Sequence, residues 1–141
     1  MKILFDNNVI LDAVTARLPF FEDAKRLFDY ASEGKIKNFM SANSMTDIFY
    51  VLRKMSTAEK AKDVIWSLIN GFDIISVNVD DCKSALMLNM SDFEDALIVI
   101  CGKKAKVDYI VTRDEEFLKI KSPIPTISIK DLLILLDNRN K

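Results

Sequence analysis

Four aspartates stand where apolar runs meet polar ones: Asp6 after KILF, Asp47 in SANSMTDIF, Asp95 in SDFEDALIVI and Asp114 closing IVTRD. A carboxylate at such a boundary can cap a helix, exchange a proton with a substrate or hold a cation. The chain contains no histidine, which removes the commonest general base and every Ser-His-Asp or Cys-His arrangement. Any catalysis must therefore run on carboxylates, lysines, hydroxyls or a metal ion.

Each acid taken alone has a structural role open to it. Ser44 and Asp47 have the spacing of a capping box, Ser91 and Asp92 can open the next helix, and Asp6 and Asp114 fit helix N-caps after strands. Together they suggest something else, because in a parallel sheet the carboxyl ends of the strands and the N-termini of the following helices share one edge. Two carboxylates about 5 Å apart, at an effective dielectric near ~20, repel by about 3 kcal/mol, so a cluster there needs protons or a cation. A highly charged all-oxygen set suits Mg²⁺ or Mn²⁺ better than zinc, and such an ion would activate the water that an absent histidine cannot. Asn8, Ser41, Ser44 and Thr112 bring neutral oxygens beside the acids. These suit the orientation of carboxylates and water, and equally suit turns and caps.

The elements that must position these residues are legible as alternation. Short β-rich segments, KILF (2–5), KNFM (37–40), DIIS (73–76), DYIV (108–111) and PTIS (125–128), are separated by stretches of helical period. Residues 20–33 place Phe20, Ala24, Leu27, Phe28 and Ala31 on one face ahead of Gly34. Met45, Ile48, Phe49 and Leu52 form a second stripe, and Ala61, Val64, Ile65, Leu68 and Ile69 a third, closed by Gly71. A helix over about 92–102 should bury Phe93, Ala96, Leu97 and Ile100, and a last helix should begin at a Ser128–Asp131 capping box. The pattern predicts an α/β domain of parallel strands joined by right-handed crossovers.

Composition sets the remaining bounds. With 141 residues, 50% of them hydrophobic, the chain fits one domain spanning 1–141. A net charge of −1 gives no global basic field. No apolar run approaches the roughly 18 residues of a membrane span and no cleavable leader is present, which predicts a soluble, unprocessed chain. Cys82 and Cys101 lie in apolar helical patterns without C-x-x-C spacing, which predicts reduced core thiols in a cytoplasmic protein. Only three glycines occur, Gly34, Gly71 and Gly102, and no G-K-[ST], so a phosphate-binding P-loop is excluded.

The segments FDNNVILDA, SxxSxxDIFYVL and DFEDALIVICGKKAKVDYIVTRDEEF resemble, in order and spacing from Lys2 to about Ile129, the PIN-domain ribonucleases. That family includes the toxins of many toxin-antitoxin pairs. The resemblance implies a three-layer α/β/α sandwich around a five-stranded parallel sheet ordered 3-2-1-4-5. It implies that Asp6, Asp47, Asp95 and Asp114 form a catalytic quartet binding Mg²⁺ or Mn²⁺, assisted by Asn8 and Thr112. It further implies hydrolysis of single-stranded RNA leaving a 5′ phosphate, an antitoxin partner and a homodimer. The chain departs from the family at Asp47, where glutamate is usual; aspartate reaches one methylene less. Asp92, one helical turn before Asp95, can support it.

RNA must approach an acidic site, so cations should line its rim; Arg17, Arg53, Lys54, Arg113 and Lys119 lie near the acid-bearing elements, and Arg113 is the leading substrate-binding residue. A rival reading is a non-catalytic PIN-like module that binds RNA or protein. Loss of quartet acids would mark that case, and all four positions are acidic. Phosphatase and receiver-domain folds fit less well, since the first strand is followed by D-N-N-V-I.

Overall fold

A computed structural model describes residues 1–141. Its centre is a five-stranded sheet of β1 (Lys2–Phe5), β2 (Lys37–Ser41), β3 (Asp73–Ile75), β4 (Tyr109–Val111) and β5 (Thr126–Ile127), ordered β3-β2-β1-β4-β5 with every neighbour parallel. Eight helices complete it: α1 (Asn7–Val14), α2 (Phe21–Ser32), α3 (Ser44–Met55), α4 (Ala58–Gly71), α5 (Val79–Met87), α6 (Phe93–Ala105), α7 (Glu115–Lys119) and α8 (Ile129–Arg139). This is the predicted three-layer α/β/α sandwich and strand order.

β1 is central, and a strand covered on both faces must be apolar at every position. Ile3, Leu4 and Phe5 are all fully buried. Alternation sends Ile3 and Phe5 to one face, where they meet Val9 and Ile10 of α1, Leu27 of α2, Ile48 of α3 and Leu132 of α8. Leu4 goes to the other, against Ile98, Val99 and Cys101 of α6 and Phe117 of α7. Each such side chain contributes roughly 1.5–3 kcal/mol by burial. Phe5, Phe28 and Phe72 close the first layer edge to face, with centroids 5.2–5.8 Å apart.

Some expectations are corrected. Phe93, expected in the core, is 46% exposed because it is the first residue of α6, ahead of the buried run from Ala96 to Gly102. Ile69 is likewise exposed on the outer side of α4. The helical pattern around Cys82 is α5, but it is not an apolar core helix: Val79, Leu86 and Met87 face solvent, only Asp81 and Ala85 are buried, and Cys82 is half-buried. Cys82 and Cys101 are both free thiols. No helix is long and apolar enough to cross a membrane.

Candidate active site

Register brings the acids to one edge. Phe5 pairs with Val111, so the next residues on each strand, Asp6 and Thr112, leave the sheet side by side, and the Asp6 N–H still donates to Val111 O at 3.0 Å. Asp6 is 6% exposed and caps α1, accepting from the Asn7 N–H at 2.8 Å. Thr112 is fully buried, and its hydroxyl donates to Asp6 Oδ2 at 2.8 Å. Thr112 Oγ1 in turn accepts from the Asp114 N–H at 3.1 Å and from Asn8 Nδ2 at 3.3 Å. Asn8 Nδ2 also lies 3.4 Å from Asp6 Oδ2. Asn8 and Thr112 thus hold Asp6 and the Asp114 backbone in one network.

The other acids come from helix starts. Asp92 caps α6, accepting from the Asp95 N–H at 3.0 Å, and Asp114 caps α7, accepting from the Glu116 N–H at 3.0 Å. For Asp6, Asp92 and Asp114 a capping role leaves room for a chemical one, since a carboxylate has lone pairs to spare after capping. Asp47 differs. The Ser44–Asp47 capping box does not form: Asn43 begins α3 without a side-chain cap, and the Ser44 hydroxyl pairs instead with Ser41 Oγ at 2.7 Å, both buried. Asp47 is left exposed and uncommitted to its own helix.

The charges press on one another. Burial first, then Asp92, Asp6, Asp114 and Glu94, push the Asp95 carboxyl up to about 7. Burial also raises Asp6, against the hydrogen bonds from Thr112 and Asn7, and Asp114 and Asp92 add to the rise. Glu94 is raised by burial and by Asp47, Asp6 and Asp92. Asp92, Asp6 and Asp114 thus act on Asp95, and Asp114 and Asp92 on Asp6, whereas Asp47 acts on Glu94.

Two residues escaped the sequence reading. Asn7 Nδ2 lies 3.2 Å from Asp47 Oδ2 and 3.1 Å from Glu94 Oε1, bridging the start of α3 to the start of α6. Both sit next to noticed aspartates, in FDNN and DFED, but nothing in spacing separates Asn7 from Asn8 as the useful amide.

The donor set suits a hard divalent cation: all oxygen, several carboxylates, and proton affinities raised by burial and then by neighbouring carboxylates. Asn7 Oδ1, at the other end of the bridging amide, is buried without a hydrogen-bond partner. No three acids are gathered tightly enough to hold an ion as they stand.

Arg113 is turned elsewhere. Its guanidinium meets the fully buried Asp12 of α1, with Nε 2.6 Å from Oδ2 and Nη2 3.0 Å from Oδ1, and lies 4.0 Å over the Phe20 ring.

A family model described as a PIN domain matches residues 2–116. Ribonuclease VapC1 of Aquifex aeolicus (strain VF5) is 26% identical over 121 residues, which are 82% of this chain and 83% of the relative. Among solved structures, the DNA-bound VapBC of Salmonella typhimurium superimposes with a TM-score of 0.68 at 14% identity, over 92% of this chain and 98% of that one. Mycobacterium tuberculosis VapC20, a sarcin-ricin-loop-cleaving toxin, gives a TM-score of 0.64 at 17% identity, over 82% and 92%.

Proposed function

We propose that this chain, which belongs to the PIN-domain family, is a metal-dependent endoribonuclease cutting single-stranded RNA, with Asp6, Asp95 and Asp114 as the principal acids and Asp47 joined to them through Asn7. The observation that carries this reading is the gathering of Asp6, Asp92 and Asp114 around the half-buried Asp95, where burial first and then these neighbouring carboxylates push its carboxyl up to about 7. A cluster that resists full ionisation alone is one that a cation relieves. The likeness to a ribonuclease and to toxin structures supports the choice of RNA and a role as the toxin of a toxin-antitoxin pair, with an antitoxin partner and a homodimeric form. We place it in the cytoplasm, as one catalytic domain over 1–141.

Mg²⁺ or Mn²⁺ held by these acids would supply Lewis acidity at the scissile phosphate and a more acidic attacking water. The chain's own residues do the rest. Thr112 and Asn8 fix the Asp6 carboxylate at the end of β1 through Oδ2, and the Asn7 N–H holds Oδ1. Asn7, next to Asp6, holds Asp47 and Glu94. Asp92 caps the helix that carries Asp95, so that carboxyl is presented from a rigid first turn. RNA would approach along α3, whose solvent face carries Tyr50 and Lys54 beyond Asp47, with Lys54 Nζ 4.5 Å from the Tyr50 ring centre. An exposed aromatic beside a cation suits a stacked base and its phosphate.

A second reading, a non-catalytic module that binds RNA or protein, draws on the absence of three acids in a holding arrangement. One experiment separates the two: Mg²⁺- or Mn²⁺-dependent cleavage of single-stranded RNA by the purified protein, its Asp6→Asn and Asp95→Asn variants, and an EDTA control. Cleavage lost in both variants and in EDTA supports the nuclease. RNA bound but uncut by the unaltered protein, with no response to metal, supports the binding module.

A further inference from the structure

Asp12 is a fully buried carboxylate on α1, two turns from the acidic cluster, and the proposed chemistry gives it no part. Burying a charge is costly unless it is paired and hydrogen-bonded. Asp12 meets the Arg113 fork at 2.6 and 3.0 Å, and Arg17 Nη1 lies 3.7 Å away. Arg113 belongs to the turn between Thr112 and Asp114, the only link between β4 and the five-residue α7. Its N–H donates to Asn8 Oδ1 at 3.3 Å, and Asn8 Nδ2 faces both Asp6 and Thr112. The far side of the guanidinium lies on Phe20, just before α2.

We propose that Arg113 is a positioning residue: forked onto Asp12 and stacked on Phe20, it pins the Thr112–Asp114 turn to α1 and so sets Asp114 against Asp6. The assignment rests on the reading of Asp6 and Asp114 as cation-holding acids. It differs from a substrate contact, because Nε and Nη2 are already committed and the side chain is only 28% exposed. A lysine could neutralise Asp12 but has no planar fork and stacks poorly, so it would hold the turn less firmly. Asp114 itself is exposed, and its side-chain bond reaches only Glu116, within its own helix. Without the clamp, the turn keeps only its backbone bonds to Asn8 and Thr112, with the buried Phe117 beyond it.

Removing Arg113 alone would strand a buried charge and risk unfolding. The decisive variant is therefore Asp12→Asn with Arg113→Gln, which exchanges the ion pair for a neutral amide pair, beside Arg113→Lys. Three readouts are taken on the full chain: amide hydrogen exchange at Arg113 and Asp114 against Ile110 and Val111, Mn²⁺ affinity by electron paramagnetic resonance, and kcat and KM on single-stranded RNA. The expected result in the double variant is exchange at 113 and 114 faster by about tenfold or more with the strand amides unchanged. Mn²⁺ affinity and kcat should each fall by about tenfold, with KM within about threefold, and Arg113→Lys should lie between. A rise in KM with unchanged exchange and Mn²⁺ affinity would make Arg113 a substrate contact and overturn the proposal, as would no change at all. If the unaltered protein neither binds Mn²⁺ nor cuts RNA, the nuclease reading fails, and with it the purpose assigned to the clamp; faster exchange would then show only a structural tie.

Discussion

The Thr112 hydroxyl donates to Asp6 Oδ2 at 2.8 Å, joining the ends of two neighbouring strands through a contact closed to solvent. A hydrogen bond to a charged group contributes about 1.5–3 kcal/mol, and this hydroxyl also accepts from the Asp114 N–H. Thr112→Val keeps the shape and removes both. It should lower Tm by about 4–10 °C in EDTA and weaken Mn²⁺ binding, while Thr112→Ser retains most of each. Thermal unfolding with and without Mn²⁺ checks this, and a valine variant of unaltered Tm would mean the hydroxyl is idle.

Stability without metal should depend on pH through the crowded acids. Asp95 moves from an ordinary 3.8 to about 7 in the folded state, so between these values the folded chain binds more protons than the unfolded one. Stability contributed by that proton is present at low pH and is lost as pH rises from about 4 to about 7. Asp6 and Glu94, also raised, act in the same direction. Asp81 and Asp137, lowered by Lys104 and by Tyr30 with Arg26, lose their stabilisation only below the ordinary carboxylate range. In EDTA the Tm should therefore be lower at pH 7.5 than at pH 5.5, with the difference reduced in Asp95→Asn. Mg²⁺ should raise Tm more at the higher pH, where fewer protons compete with it. A flat profile in the unaltered protein would contradict this.

Much of this architecture was readable in advance. KILF became β1 over the predicted residues, and β2 to β5 differ only at their ends. Buried parallel strands are continuous apolar runs, and helices with strong stripes betray their period. What could not be read depends on contacts between distant segments. The Ser44–Asp47 spacing suggested a cap, yet Ser41 on β2 captures the Ser44 hydroxyl. Arg113 adjoins Asp114 and so reads as a substrate ligand, whereas its pairing with Asp12, 101 positions away, is made only by the fold. Asn7 and Glu94 meet for the same reason, across 87 positions.

Asp47→Glu tests the shortened reach at the position where glutamate is usual in the family. Asp47 is exposed and tied only through Asn7, so the longer side chain meets little steric resistance. Mn²⁺ affinity should rise several-fold, with Tm in EDTA unchanged within about 2 °C, the usual range of a surface substitution. Isothermal titration measures it. A loss of affinity would mean that the Asn7 bridge is fitted to aspartate.

The path of RNA along α3 predicts a split between binding and turnover. Tyr50 stands 3 positions after Asp47 and Lys54 stands 7 after it, so all lie on one helix face, and each is exposed. Stacking of one base contributes about 1–3 kcal/mol, and a contact made equally in the ground and transition states affects KM rather than kcat. Tyr50→Ala should raise KM for single-stranded RNA by about fivefold or more with kcat unchanged, and Tyr50→Phe should be close to the unaltered protein. Lys54→Gln should weaken binding less and reduce its salt dependence, as expected for loss of one phosphate contact. Steady-state kinetics at two salt concentrations, with the oligomeric state of each variant checked by light scattering, decides the matter. If Tyr50→Ala instead dissociates a dimer while KM per folded site is unchanged, the face belongs to a second copy of the chain and RNA leaves the acidic cluster by another route.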